Sequence, residues 1–127
     1  MHERKKILVV EDDDVTRELL FMMLDREGYD VSTAPDGMKG YSAALSIRPD
    51  LIISDVNMPS SDGVHMVRRV RDTAEIAKTP ILITTGFGTG MAVLSLTQGA
   101  DAYEPKPFEP ANLLITVRRL LASGPEQ

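Results

Sequence analysis

The sequence predicts an α/β fold, a doubly wound five-stranded parallel sheet with helices on both faces. Three observations predict it. Short apolar runs alternate with segments of helical periodicity from one end of the chain to the other. Several runs are continuously apolar, as strands buried on both faces are. The runs also empty into polar, chemistry-bearing residues, and sheets of this kind bind ligands beyond the carboxyl ends of their strands.

The elements follow in order. Ile7–Val10 reads as a strand. A helix follows with Asp14 as N-cap, carrying Val15, Leu19, Leu20, Met23 and Leu24 inward and stopping at Gly28. Tyr29–Thr33 is a short second strand. Asp36 caps a helix through Ile47, with Met38, Tyr41, Ala44 and Leu45 at helical spacing, and Pro49 ends it. Leu51–Ser54 is the third strand, Pro59–Gly63 a loop, and Val64–Asp72 a helix facing inward through Val67 and Val70. Pro80–Thr84 is the fourth strand. Gly86-Phe87-Gly88-Thr89-Gly90 is a glycine-rich loop, Met91–Gln98 a short helix ended by Gly99, and Ala102–Glu104 the fifth strand. Pro110 opens the last helix, where its missing N–H costs nothing, and Leu113, Leu114, Val117, Leu120 and Leu121 give that helix its apolar face. Five strands alternating with five helices imply right-handed crossovers.

The 127 residues make one expected domain, 1–127, with a core of about 5–122 and short polar termini. A net charge of -5, from 14 Lys+Arg against 19 Asp+Glu, argues against nucleic acid as a direct ligand. The absence of cysteine excludes a disulfide framework and thiolate chemistry. The longest apolar run, Leu19 to Leu24, is far short of the ~20 residues a membrane span needs, and the first residues do not form a signal peptide. The expectation is a cytoplasmic domain with no membrane partner. His2 and His65 lack spaced partners and read as surface residues, Arg68-Arg69-Arg71 and Arg118-Arg119 as solvated helix faces, and the seven methionines mostly as helical core.

The chemistry lies at the strand ends. Ile7-Leu8-Val9-Val10 runs into Glu11-Asp12-Asp13-Asp14, Leu51-Ile52-Ile53-Ser54 into Asp55, and Tyr103 leads to Lys106 between Pro105 and Pro107. Two like charges ~4 Å apart at an effective dielectric near 20 repel by ~4 kcal/mol. Clustering Asp12 and Asp55 with Glu11 is therefore unfavourable without a cation. Hard oxygen ligands with no His or Cys nearby favour Mg²⁺. Asp13 and Asp14 fit the start of a helix, where the macrodipole favours acids. Asp55 at the end of a buried strand needs a counter-charge, which Lys106 supplies, and Thr85 can donate a hydroxyl to a phosphoryl oxygen.

The order and spacing of Ile7–Asp12, Pro49–Asp55, Met58-Pro59 with Gly63, Pro80–Thr85, Gly99–Tyr103 and Lys106-Pro107-Phe108 resemble those of the response-regulator receiver domains of two-component signalling, over nearly the whole chain. The resemblance implies a flavodoxin-like strand order 2-1-3-4-5. It implies that Asp55 accepts a phosphoryl group from a histidine kinase or phosphotransfer protein. Metal ligation falls to Asp12 directly, Glu11 through water, Asp55, and the backbone carbonyl of Asn57. Lys106 and Thr85 bind the phosphoryl group, and Tyr103 turns inward behind Thr85, switching the face made by the fourth helix, fifth strand and fifth helix. That face would signal to a downstream protein, a fused output domain or a second copy in a phosphorylation-dependent homodimer. The module phosphorylates and dephosphorylates only itself and is not otherwise an enzyme. Asn57 and Phe87 tune dephosphorylation, which is expected to be slow. The family's cis bond before proline is carried to Lys106-Pro107.

Two departures stand out. Gly86 replaces the family's usual alanine, and Gly88 and Gly90 follow, so the loop after Thr85 is expected to be mobile. Pro105 removes an N–H from the fifth strand, which is tolerable only at a sheet edge. One alternative is a receiver fragment of a larger regulator whose output domain is missing. The other is a haloacid-dehalogenase-like phosphatase, which also uses an Asp nucleophile and Mg²⁺. That family needs a second Asp two residues after the nucleophile, where Asn57 stands, and has its acidic pair late in the chain.

Overall fold

The computed structural model describes residues 4–56, 62–86 and 90–122. Strand β1 (Lys6–Val10) leads to α1 (Asp14–Arg26), β2 (Asp30–Ala34), α2 (Gly37–Ile47), β3 (Leu51–Asp55), α3 (Asp62–Arg71), β4 (Ile81–Thr85), α4 (Gly90–Thr97), β5 (Ala102–Pro105) and α5 (Pro110–Ala122). All strand pairs are parallel and the order is β2-β1-β3-β4-β5, as the sequence implied. Strands β3 and β4 are buried along their whole length, which explains their unbroken apolar runs. The edge strand β5 accommodates Pro105, and the Lys106-Pro107 bond is cis.

Successive side chains alternate between two cores. Leu8, Val10, Ile52, Ile81 and Ile83 pack with Ala44 of α2 and with Val67 and Val70 of α3. Ile7, Val9, Ile53 and Leu82 pack with Leu20 and Leu24 of α1 and with Leu113 and Val117 of α5.

Several local expectations need correction. The N-cap of α1 is Asp13, not Asp14: its backbone is extended and its carboxylate accepts from the Thr16 backbone N–H at 2.8 Å. Asp14 stands inside the first turn and pairs with Arg17. The buried stripe of α1 is Leu20 and Leu24, while Val15 is 77% exposed and Leu19 half exposed. The run Leu19 to Leu24 wraps more than one face, so periodicity alone could not choose the inward one. In α2 the inward stripe is Gly37, Gly40 and Ala44, leaving Met38 and Leu45 exposed. A Cβ on Gly40 would lie 2.7 Å from a Val10 methyl, so close approach of helix to strand selects small residues there. Of the methionines whose burial is described, Met66 is buried and Met23 packs against the core, while Met22 and Met38 are exposed.

Arg71 is not on a solvated face. Its Nε donates to the Gly99 carbonyl at 2.8 Å, Nη1 to the carbonyls of Thr79 and Ala77, and Nη2 to Asp101. Asp101 in turn accepts from the Ile81 N–H at 2.8 Å. This fork ties the end of α3 to the entry of β4 and to the α4–β5 turn. Arg69 stacks over the Tyr41 ring at 4.0 Å.

Candidate functional site

The parallel register brings the ends of β1, β3 and β5 to one edge of the sheet. Glu11 continues the β1 ladder by donating its N–H to the Ala34 carbonyl at 3.0 Å, and its side chain is buried. Asp55 ends β3 with 3% exposure. Carboxylate oxygens of Glu11, Asp12 and Asp55 lie within 4.8 Å of one another. Lys106, immediately after β5, places Nζ 2.9 Å from Glu11 Oε1 and 3.4 Å from Asp55 Oδ2. Its backbone N–H donates to the Thr85 carbonyl at 2.8 Å, which fixes the start of the β5–α5 turn against the end of β4. Arg17 donates to the Glu11 carbonyl, and Glu11 Oε2 accepts the Asp13 N–H.

The electrostatics are those of a crowded acidic pocket. Burial, reinforced by the neighbouring Asp55 charge, pushes the Glu11 carboxyl up to about 7 despite its Lys106 and Asp13 hydrogen bonds. Burial works to lower Lys106, yet its Glu11 hydrogen bond and the Asp55 charge outweigh that and hold the ammonium above its ordinary range. The two shifts are compatible: one ammonium facing two carboxylates is strongly held, while for Glu11 burial outweighs the compensation that ammonium gives. Three hard oxygen donors converging on one point, with charge left over, fit a Mg²⁺ ion.

Gly63 makes room for this edge. A Cβ there would sit 2.3 Å from the Asp55 carbonyl oxygen and 2.6 Å from Val56 Cα, so only glycine lets α3 dock against the end of β3. At Gly86, by contrast, a Cβ would meet Lys106 at an ordinary 3.8 Å.

The structure thus brings together Glu11, Asp12, Asp55 and Lys106, with Thr85 buried at the end of β4 beside them. Tyr103 lies further out on β5 and is 39% exposed. Asn57 and Phe87, and the glycine-rich loop expected to be mobile, lie outside the described residues, apart from Gly86 and Gly90 at the loop ends. Sequence reasoning missed Thr84. It is fully buried, and its hydroxyl has no hydrogen-bond partner among the described residues. A second threonine closing the run Ile81-Leu82-Ile83 was the available signal.

This fold with an acidic, lysine-bearing pocket at the carboxyl edge is typical of a Mg²⁺-dependent phospho-aspartate signalling module, a phosphoacceptor rather than a true enzyme. Residues 7–118 match the response regulator receiver domain, and the chain belongs to that family. The transcriptional regulatory protein CseB of Streptomyces avermitilis is 40% identical over 131 residues, covering 98% of this chain and 54% of that protein. The crystal structure of a putative response regulator from Chloroflexus aurantiacus aligns with TM-score 0.89 at 35% identity, covering 94% of this chain and 99% of that one. The receiver domain of sensor histidine kinase PA1611 from Pseudomonas aeruginosa, which has a magnesium ion coordinated in its active-site cleft, aligns with TM-score 0.88 at 30% identity over 95% of this chain and 100% of its own. The chain spans about half the length of the curated relatives it matches. Membership in a two-component family implies a histidine kinase as partner. No helix among the described residues is long and apolar enough to cross a membrane.

Proposed function

We propose that Asp55 is the phosphoacceptor. The observation that carries this is a carboxylate of 3% exposure at the end of a central strand, 3.4 Å from an ammonium and flanked by two further carboxylates. A carboxylate oxygen of Asp55 attacks the phosphorus of a phosphohistidine; the O–P bond forms as the P–N bond breaks, and the imidazole leaves with the bonding pair and takes up a proton. Lys106 balances charge on the phosphoryl oxygens and orients them. Glu11 and Asp12 would hold the metal, Asp12 directly and Glu11 through water, with Asp55 and the Asn57 carbonyl as further protein ligands. A bound Mg²⁺ would neutralise charge on the phosphoryl oxygens.

Thr85 donates its hydroxyl to the phosphoryl group, and Tyr103 turns inward behind it, changing the α4–β5–α5 face. Support for that face comes from its exposed Val93, Leu94, Leu96 and Tyr103. The signal leaves there to a downstream protein, a fused output domain or a second copy. The kinase would dock beside α1, where the exposed Leu19 helps line, with Thr16, Met23, Lys106 and Phe108, a cavity of about 520 Å³. Asn57 and Phe87 tune phosphoryl loss, which is slow. Residues 1–127 act as one receiver unit in the cytoplasm. An output domain in the longer regulator is favoured by the length and regulatory character of CseB.

The decisive experiment is incubation with acetyl phosphate and Mg²⁺ followed by intact-mass measurement. The native chain should gain one phosphoryl group and Asp55→Asn none. A native chain that gains nothing defeats the proposal, and a phosphoryl lifetime of seconds defeats slow loss.

A further inference from the structure

Strand register sets one row of residues apart from the row beneath it. Val9, Ile53, Leu82 and Ala102 are cross-strand partners and form an apolar row on the α1–α5 face of the sheet. Two residues further along, the same face carries Asp55, Thr84 and Glu104, again partners in register. Helix α5 closes the far end of this row: the Thr116 hydroxyl donates to Glu104 Oε2 at 2.7 Å. Asp55, Thr84 and Thr116 are all buried. A polar row thus runs from the phosphoacceptor to α5, and it is incomplete at Thr84, whose buried hydroxyl has no partner among the described residues and lies between two carboxylate-bearing neighbours. Valine would fill the same volume without an unsatisfied polar group. Thr85 alternates to the opposite face with Ile83, so the two threonines address different sides of the sheet.

We propose that Thr84 is a positioning residue of the phosphorylation switch, its hydroxyl pairing with Glu104 when Asp55 is phosphorylated and so coupling the phosphoacceptor to α5 through Thr116. The inference rests on Asp55 being the phosphoacceptor. While Asp55 is unphosphorylated, the single hydroxyl proton of Thr84 stands between two carboxylate-bearing neighbours and is committed to neither. Phosphorylation moves the charge of Asp55 outward onto the phosphoryl oxygens, leaving Glu104 as the stronger acceptor. Glu104 has lone pairs to spare beside the one that Thr116 uses. A hydroxyl unsatisfied in one state and paired in the other favours the paired state, because a switch moves only by contacts that differ between its states. The row serves α5, on the face opposite to Thr85.

The test titrates beryllofluoride, a phosphoryl mimic, with Mg²⁺ into the native chain, Thr84→Val, Thr84→Ser and Thr116→Val, reading melting temperature and amide exchange in α5. Thr84→Val should melt no lower than the native chain without beryllofluoride, need about five- to tenfold more of it for half-saturation, and lose the exchange response of α5. Thr84→Ser should keep both responses. Native half-saturation and a native α5 response in Thr84→Val would overturn the inference while leaving Asp55 as acceptor. Should Thr84→Val not fold, Thr116→Val decides: it should bind beryllofluoride and lose the α5 response, and an intact response overturns the coupling. A native chain indifferent to beryllofluoride would defeat the Asp55 reading and this inference together.

Discussion

The ammonium of Lys106 is 2.9 Å from Glu11 and 3.4 Å from Asp55, so its shorter contact is to the carboxylate that follows β1 rather than to the one that ends β3. Lys106 thereby holds the pocket together before any phosphoryl group arrives.

The first consequence is a pH dependence. Burial and the Asp55 charge raise Glu11 from 4.5 to about 7. The folded chain therefore keeps a proton that the unfolded chain loses between these values, and stability of the metal-free protein falls as pH rises through that window. The expected loss is on the order of 3 kcal/mol. Chemical denaturation with chelator at about pH 5 and about pH 8 should show it, and Glu11→Gln should flatten it. Mg²⁺ should stabilise more at the alkaline end, and a stability that climbs across this window would contradict the assignment.

Two glycines beside the site should respond in opposite ways. Gly63→Ala would press a methyl to 2.3 Å from the Asp55 carbonyl and should destabilise by about 1–3 kcal/mol. Gly86→Ala meets Lys106 only at 3.8 Å and, with less unfolded-state entropy to lose, should be neutral or stabilising by up to about 1 kcal/mol. Urea denaturation of both variants checks the contrast.

Arg71 should prove a stability residue with no direct part in the chemistry. Its guanidinium serves the carbonyls of Gly99, Thr79 and Ala77 and the Asp101 carboxylate. Arg71→Met strands those acceptors and should cost about 2–4 kcal/mol. Arg71→Lys should recover little, since an ammonium cannot reproduce the planar fork. Thermal melts should separate both from the native chain, while phosphorylation by acetyl phosphate below the melt persists.

At the start of α1, Asp13→Ala should lower stability measurably, since it removes the oxygen that caps the Thr16 N–H. Asp14→Ala removes an exposed ion pair with Arg17 and should cost no more than about 0.5 kcal/mol. Equal losses in denaturant titrations would remove the distinction between cap and first turn.

Much of this molecule is legible in its residues. Unbroken apolar runs such as Leu51-Ile52-Ile53 mark strands buried on both faces, Asp36 and Gly28 mark helix ends through local hydrogen bonding and a left-handed backbone, and the acidic and lysine residues stand where runs end. These signals depend on neighbours within a few residues, so the chain carries them without its fold. The inward faces of α1 and α2 were not legible. Which side of a helix turns inward depends on what it meets, and a Val10 methyl demanded Gly40 where hydropathy favoured Met38.

The sequence by itself determined the alternation of elements, the strand ends that carry acid and base, and the identity of the pocket as a hard-oxygen site. Only the tertiary structure decided that Lys106 bonds Glu11, that Arg71 ties three segments together, and that Thr84 lies in register between Asp55 and Glu104. Each of these joins residues far apart in the chain. Such distances follow from strand register and crossover geometry, which many local contacts set together and no short stretch of residues specifies alone.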